Sequence, residues 1–177
     1  MRGLAIGRYQ PFHLGHLRAI EEILQQCDSV VIGIGSAQYS HMKDNPFTAG
    51  ERYEMIYSSL REKGLERQAH IIPIIDVNRY SLWVSHVRSL VPPFSVVFTN
   101  NPLTERLFSE SGYEVRKTKI YRRREYSGTH VRELMINGGG WRKLIPRGAA
   151  ETIDSFGGVE RVRELFRLSE KNEASGH

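Results

Sequence analysis

Hydrophobic positions along the chain change their spacing in a regular order. Leu4, Ala5 and Ile6 make a short apolar run that ends at Gly7. From Leu14 the apolar residues Leu17, Ile20, Ile23, Leu24 and Cys27 fall at three- and four-residue steps, the spacing of one helix face. The run SVVIGIG at 29–35 is continuous rather than alternating, which predicts a strand covered on both faces. A polar loop over 36–47 follows. Thr48, with Glu51 three residues on, predicts a capping box for a helix that turns Ile56 and Leu60 inward and ends near Gly64. HIIPII at 70–75 predicts a third strand, and Pro73 places it at a sheet edge or a bulge. The next helix runs from Leu82 to Leu90 and stops before Pro92 and Pro93. SVVFT at 95–99 is a strand, Asn101 and Pro102 cap and open a helix, and YEVRK at 113–117 is a fifth strand. Helices from Ser127 to Gly138, over 147–156 and over 158–170 precede a polar tail, 171–177, expected to be frayed and disordered.

This alternation predicts an α/β fold: an open parallel sheet with helices on both faces, right-handed crossovers and extra C-terminal helices, in one domain over 1–170. Such sheets bind ligands outside the carboxyl ends of their strands, where the strand order switches. The length of 177 residues and 40% hydrophobic content fit one core large enough to stand without staples. Cys27 is the only cysteine, which excludes a disulfide framework and a cysteine-built metal knuckle. No apolar run approaches a membrane span, and MRGLAIGRYQP is too short an apolar stretch for a secretion signal, so a cytoplasmic protein with no membrane partner is expected. A formal charge of +5 asks for an anionic partner, whether nucleic acid, nucleotide phosphate or an anionic surface.

The chemistry gathers after the predicted strands. GRYQPFHLGH, residues 7–16, joins the first strand to its helix. His13 and His16 lie three apart at the helix start, where unsatisfied N–H groups and the positive end of the helix dipole suit phosphate. Gly7 permits close backbone approach, Gly15 a tight helix entry, and Arg8 offers a forked donor to phosphate oxygens. Two histidines at this spacing also suit a metal, although no third ligand stands out. Further along, YSGTHVR at 126–132 starts a helix in which Ser127 and Thr129 can cap and donate to phosphate, and Arg132 can fold back toward the same opening. Taken alone, that segment also reads as an ordinary cap followed by a solvent-facing arginine.

GRYQPFHLGH resembles the HxGH signature of the nucleotidyltransferase superfamily, and YSGTHVR resembles its ISSTxxR signature at Ser127, Thr129 and Arg132, departing at Tyr126 and Gly128. The Tyr-Ser-Gly-Thr form, together with GSAQYSH at 35–41, DNPFTAGER at 44–52, WVSHV at 83–87 and RLFSESGYEV at 106–115, is similar to the archaeal nicotinamide-nucleotide adenylyltransferases over nearly the whole chain. The resemblance implies a Rossmann-like nucleotidyltransferase fold. It implies transfer of the adenylyl group of ATP to nicotinamide mononucleotide (NMN), giving NAD and pyrophosphate. It also implies Mg²⁺ carried on the ATP without an assigned protein ligand, and a homo-oligomer, hexameric in relatives.

Carried over residue by residue, the resemblance assigns His13 and His16 to the α- and β-phosphates and Arg132 to the leaving pyrophosphate, while Arg8, counted with the ATP-binding residues, falls to the attacking phosphate or bridges both substrates. Gly7, Phe98, Asn100, Tyr126, Ser127 and Thr129 join them around ATP. Tyr9, Ser36, Gln38, Asp76 and Trp83 fall to NMN, with Trp83 as a flat platform for the cationic ring, or else a helix residue packed in the core. Relatives commonly carry asparagine where this chain has Tyr80, which leaves the reader of the nicotinamide amide open. Arg122, Arg123 and Arg124 form an electrostatic funnel over ATP, a solvated basic loop or a subunit contact. Phosphopantetheine adenylyltransferases and cytidylyltransferases share the phosphate logic, whereas class I aminoacyl-tRNA synthetases need a lysine-rich loop and an appendage absent here. A nucleic-acid-binding module would use the arginine run and its flanking tyrosines but leave GRYQPFHLGH idle, so no nucleic-acid partner is expected.

Overall fold

A computed structural model describes residues 1–119, 121–122 and 124–175; Arg123 of the basic run and residues 176–177 of the tail lie outside the described residues. Five strands form one sheet: β1 Arg2–Gly7, β2 Ser29–Ile34, β3 Ala69–Pro73, β4 Val96–Phe98 and β5 Glu114–Arg116, in the order β3-β2-β1-β4-β5 and all parallel. Seven α-helices are described: α1 Leu14–Leu24, α2 Ala49–Glu62, α3 Tyr80–Leu90, α4 Pro102–Glu110, α5 Gly128–Ile136, α6 Arg147–Ser155 and α7 Gly158–Ser175. The predicted α/β architecture is therefore the observed one. No helix among the described residues is long and apolar enough to cross a membrane.

The period of two along β2 explains its unbroken apolar run. Val30, Ile32 and Ile34 enter the core formed with α1, α2 and α5–α7, while Val31 joins Leu4 and Val97 in the core under α3 and α4. A strand covered on both faces has no position left for a polar side chain. Pro73 ends β3 at the sheet edge, where its missing N–H costs no ladder bond. Thr48 and Glu51 form the predicted box on α2, with Glu51 N–H donating to Thr48 Oγ1 at 3.1 Å and Thr48 N–H to Glu51 Oε2 at 2.9 Å. Asn101 caps α4 with Pro102 in its first turn.

The C-terminal helices brace the site side of α2. Arg161 of α7 makes a bidentate ion pair with Glu51 at 2.7 and 2.9 Å and also donates to the carbonyl of Pro46. Two boundaries differ from the sequence reading. Helix α3 begins at Tyr80 rather than Leu82, and α7 continues to Ser175, five residues past the expected end at 170. The polar composition of 171–175 signalled fraying, but those residues extend the helix without a break.

Candidate active site

The chain leaves β1 in one direction through α1 to β2 and β3, then crosses back to β4 and β5 on the other side. Helix α1 thus starts at the switch in strand order, the crevice where parallel α/β sheets take ligands. A cavity of about 410 Å³ opens there, walled by the end of β1, the first turns of α1, the residues after β4 and the segment between β5 and α5.

His13 and His16 sit side by side in its wall, their rings stacked with centroids 3.5 Å apart and planes 18° from parallel. His13 is the N-cap of α1 and forms with His16 a capping box of two imidazoles. His16 N–H donates to His13 Nδ1 at 3.3 Å, and His13 N–H donates to His16 Nδ1 at 3.2 Å. Because each Nδ1 accepts from backbone, a neutral ring must carry its proton on Nε2. Burial holds both rings neutral, lowering His13 to about 4 and His16 well below its usual 6.5, with the His13 ring adding to the effect on His16. The box therefore fixes two neutral Nε2–H donors in the cavity wall. Tyr9 meets His16 edge-on at 4.8 Å and Phe12 stacks on its other side at 5.6 Å, so the rings cannot swing away. Tyr9 takes a left-handed backbone, φ 51°, which turns its ring back over Gly7. A Cβ at Gly7 would stand 2.9 Å from that ring, so the close approach glycine permits is to Tyr9.

The second motif docks onto the first. Ser127 caps α5 by accepting from His130 N–H at 3.2 Å, and Thr129 is exposed beside it. Arg132 does not line the cavity. It is buried behind the loop and donates to the carbonyl of Gln10 at 2.7 Å and to Asp44 Oδ1 at 3.3 Å. Burial lowers its proton affinity, and Asp44 opposes that shift. Neither a solvent-facing arginine nor an open phosphate ligand describes it; in this conformation it clamps Gln10 to Asp44. Gly128, one of the two departures from the superfamily signature, explains the fit. A Cβ there would lie 2.8 Å from the Gln10 carbonyl oxygen.

Phe98 and Asn100 line the far side of the cavity, Asn100 donating to the carbonyl and hydroxyl of Thr118 at 3.1 and 3.0 Å. Tyr126 and Tyr121 close it, both within cation–π reach of Arg18 at 5.3 and 5.4 Å. On the other side of β1, Ser36, Gln38 and Asp76 come together. Ser36 donates to Asp76 Oδ2 at 2.7 Å, and Gln38 brackets the Asp76 backbone through both ends of its amide. Trp83 lies on α3 as a half-buried ring packed edge-on against Phe108 at 5.4 Å, outside the cavity. Arg8 follows β1 directly and stands exposed outside the cavity wall, and its side chain makes no hydrogen bond or ion pair among the described residues.

Sequence reasoning missed three residues. Gln10 exchanges two hydrogen bonds of 3.0 Å with the backbone of Phe47, tying the histidine loop to the 36–47 loop. Asp44 is the partner of Arg132. Arg52 is fully buried under both loops. The last carried a signal, since an arginine three and four residues before the inward-facing Met55 and Ile56 occupies a core position.

Fold, switch point and paired histidines define a nucleotidyltransferase, and the sequence pattern of the cytidylyltransferase-like family matches residues 4–134. The nicotinamide-nucleotide adenylyltransferase of Methanothrix thermoacetophila is 54% identical over 166 residues, covering 94% of this chain and 96% of the relative. That of Archaeoglobus fulgidus is 50% identical, with 93% and 97% covered. A crystal structure of a bifunctional NMN adenylyltransferase/ADP ribose pyrophosphatase from Francisella tularensis, complexed with AMP and a manganese ion, superposes with a TM-score of 0.77 at 26% identity. It covers 97% of this chain, which spans about half (53%) of that longer protein. The chain belongs to the nicotinamide-nucleotide adenylyltransferase family.

Proposed function

We propose that this protein transfers the adenylyl group of ATP to NMN in one in-line displacement. An oxygen of the NMN phosphate attacks the α-phosphorus of ATP, the new P–O bond forms, and the bond to the bridging oxygen breaks with its electron pair leaving on pyrophosphate. The attacking oxygen arrives ionised, so no enzyme base is needed and catalysis reduces to alignment and charge neutralisation.

The observation that carries this reading is the stacked His13–His16 capping box in the wall of the switch-point cavity. Its two Nε2–H donors and the N-terminus of α1 face the α- and β-phosphates and stabilise charge without moving a proton. ATP occupies the side lined by Phe98, Asn100 and Tyr126. NMN occupies the side of Ser36, Gln38 and Asp76, with Trp83 of α3 its platform. Arg8, exposed and without a partner among the described residues, holds the attacking phosphate. Arg132 exchanges Asp44 for pyrophosphate, with Ser127 and Thr129 at the same opening.

The divalent ion that the resemblance implies would be carried by the phosphate oxygens of ATP, with no protein ligand assigned. Mg²⁺ on the triphosphate supplies further charge neutralisation there. Resemblance supports a cytoplasmic homo-hexamer.

The test is a product assay with Mg-ATP and NMN, its acid form or phosphopantetheine. NAD and pyrophosphate released together confirm the reaction. Turnover with phosphopantetheine alone overturns the acceptor while leaving the histidine chemistry intact.

A further inference from the structure

Arg52 is a buried cation whose only hydrogen-bond partners among the described residues are carbonyls. Its Nε donates to the carbonyl of Thr48 at 3.2 Å; Nη1 donates to Arg8 and Gly35, both at 2.9 Å. Nη2 donates to Ser36 at 3.2 Å and to Ala37 and Tyr39 at 3.4 Å. It makes no ion pair among the described residues, and burial together with the nearby Arg8 charge pulls it down to about 10, against weaker support from Asp76 and Glu51. An unpaired buried charge is costly. What an apolar residue cannot do is tie the turn after β1 to the loop after β2.

The tie matters for what it orients. The Arg8 carbonyl belongs to the residue whose guanidinium has no partner among the described residues, and the Gly35 and Ser36 carbonyls bracket Ser36, whose backbone is left-handed, φ 49°, and whose hydroxyl donates to Asp76. None of the six carbonyl residues lines the cavity beside His13. We propose that Arg52 is a positioning residue for the acceptor half of the reaction: by binding both strand-end loops at once, it sets where Arg8 and Ser36 stand when NMN enters. This rests on the proposed function and names the residue that separates acceptor binding from ATP binding.

The experiment compares wild type with Arg52→Lys, which keeps the charge but cannot span both loops. KM for NMN, kcat, and affinity for a non-hydrolysable ATP analogue are measured on folded protein. The lysine variant should raise KM for NMN about tenfold or more, since misplacing a positioning group by about 1 Å can cost up to about a hundredfold, and leave analogue affinity within about twofold. Unchanged KM for NMN, or an equal loss on both substrates, overturns the proposal. If the lysine variant fails to fold, Arg52→Gln is read in the same way. Failure of both to fold makes Arg52 structural alone and also overturns it. Wild-type protein that makes no NAD refutes the proposed function itself, whatever the variants do.

Discussion

Gly128→Ser restores the residue that the superfamily signature carries, and it should damage this protein. A Cβ at Gly128 would lie 2.8 Å from the Gln10 carbonyl oxygen, 3.3 Å from its carbon and 3.2 Å from Arg132 Nη1. Carbon and carbonyl oxygen rest at roughly 3.3 Å or more, so the overlap is about 0.5 Å. Gln10 cannot give way freely, because its side chain is bonded twice to Phe47 and its carbonyl accepts from Arg132 at 2.7 Å. Overpacking of this kind costs about 1–3 kcal/mol. Better helix propensity at the first position of α5 returns at most about 0.5 kcal/mol. The expected net loss is about 1–2 kcal/mol, or a fall in Tm of roughly 2–8 °C for a chain of this size. Gln10 leads directly into His13, so its displacement also misplaces the imidazole pair, and kcat/KM should drop roughly tenfold. Thermal unfolding and steady-state kinetics of Gly128→Ser and Gly128→Ala read both effects. A variant as stable and as active as wild type would refute the tight docking of the two motifs.

Three further outcomes follow from the same geometry. His16→Ala should lower kcat by orders of magnitude in folded protein and cost about 1 kcal/mol of stability, because it removes a donor and half of the capping box; full activity in that variant would sink the assignment. His13 is neutral in the folded state down to about 4, whereas the unfolded chain takes up that proton near 6.5. Its contribution, up to about 3 kcal/mol, is therefore complete above pH 6.5 and lost as pH falls toward 4; His13→Asn should show a shallower fall in Tm over that window. Cys27→Ser should leave kcat/KM nearly unchanged, since the thiol is buried just before β2, at the end of the sheet opposite the cavity; lost activity without unfolding would show otherwise.

Much of the fold was legible because its signals are local. The Thr48–Glu51 box, the Asn101–Pro102 cap and the two-faced run of β2 each depend on residues within a few positions, and each stands where expected. The helical end at 171–175 was not legible, since polar composition signals fraying without revealing whether a helix continues. The candidate site divides in the same way. His13 and His16 belong to one turn, so their spacing already implied that they meet. Ser36, Gln38 and Asp76 were separate suggestions until β2 and β3 brought their loops together.

The sequence by itself determined that strands and helices alternate, that a phosphate-suited turn follows the first strand, and which family the motifs resemble. These follow from backbone periodicity and from residue types at fixed short offsets. Only the tertiary structure decided that the two imidazoles cap each other and stay neutral, that Arg132 reaches 122 positions back to Gln10, and that Arg52 is sealed beneath two loops. Proton affinity and hydrogen-bond partnership depend on burial, and burial depends on which distant segments pack together. No local pattern records that.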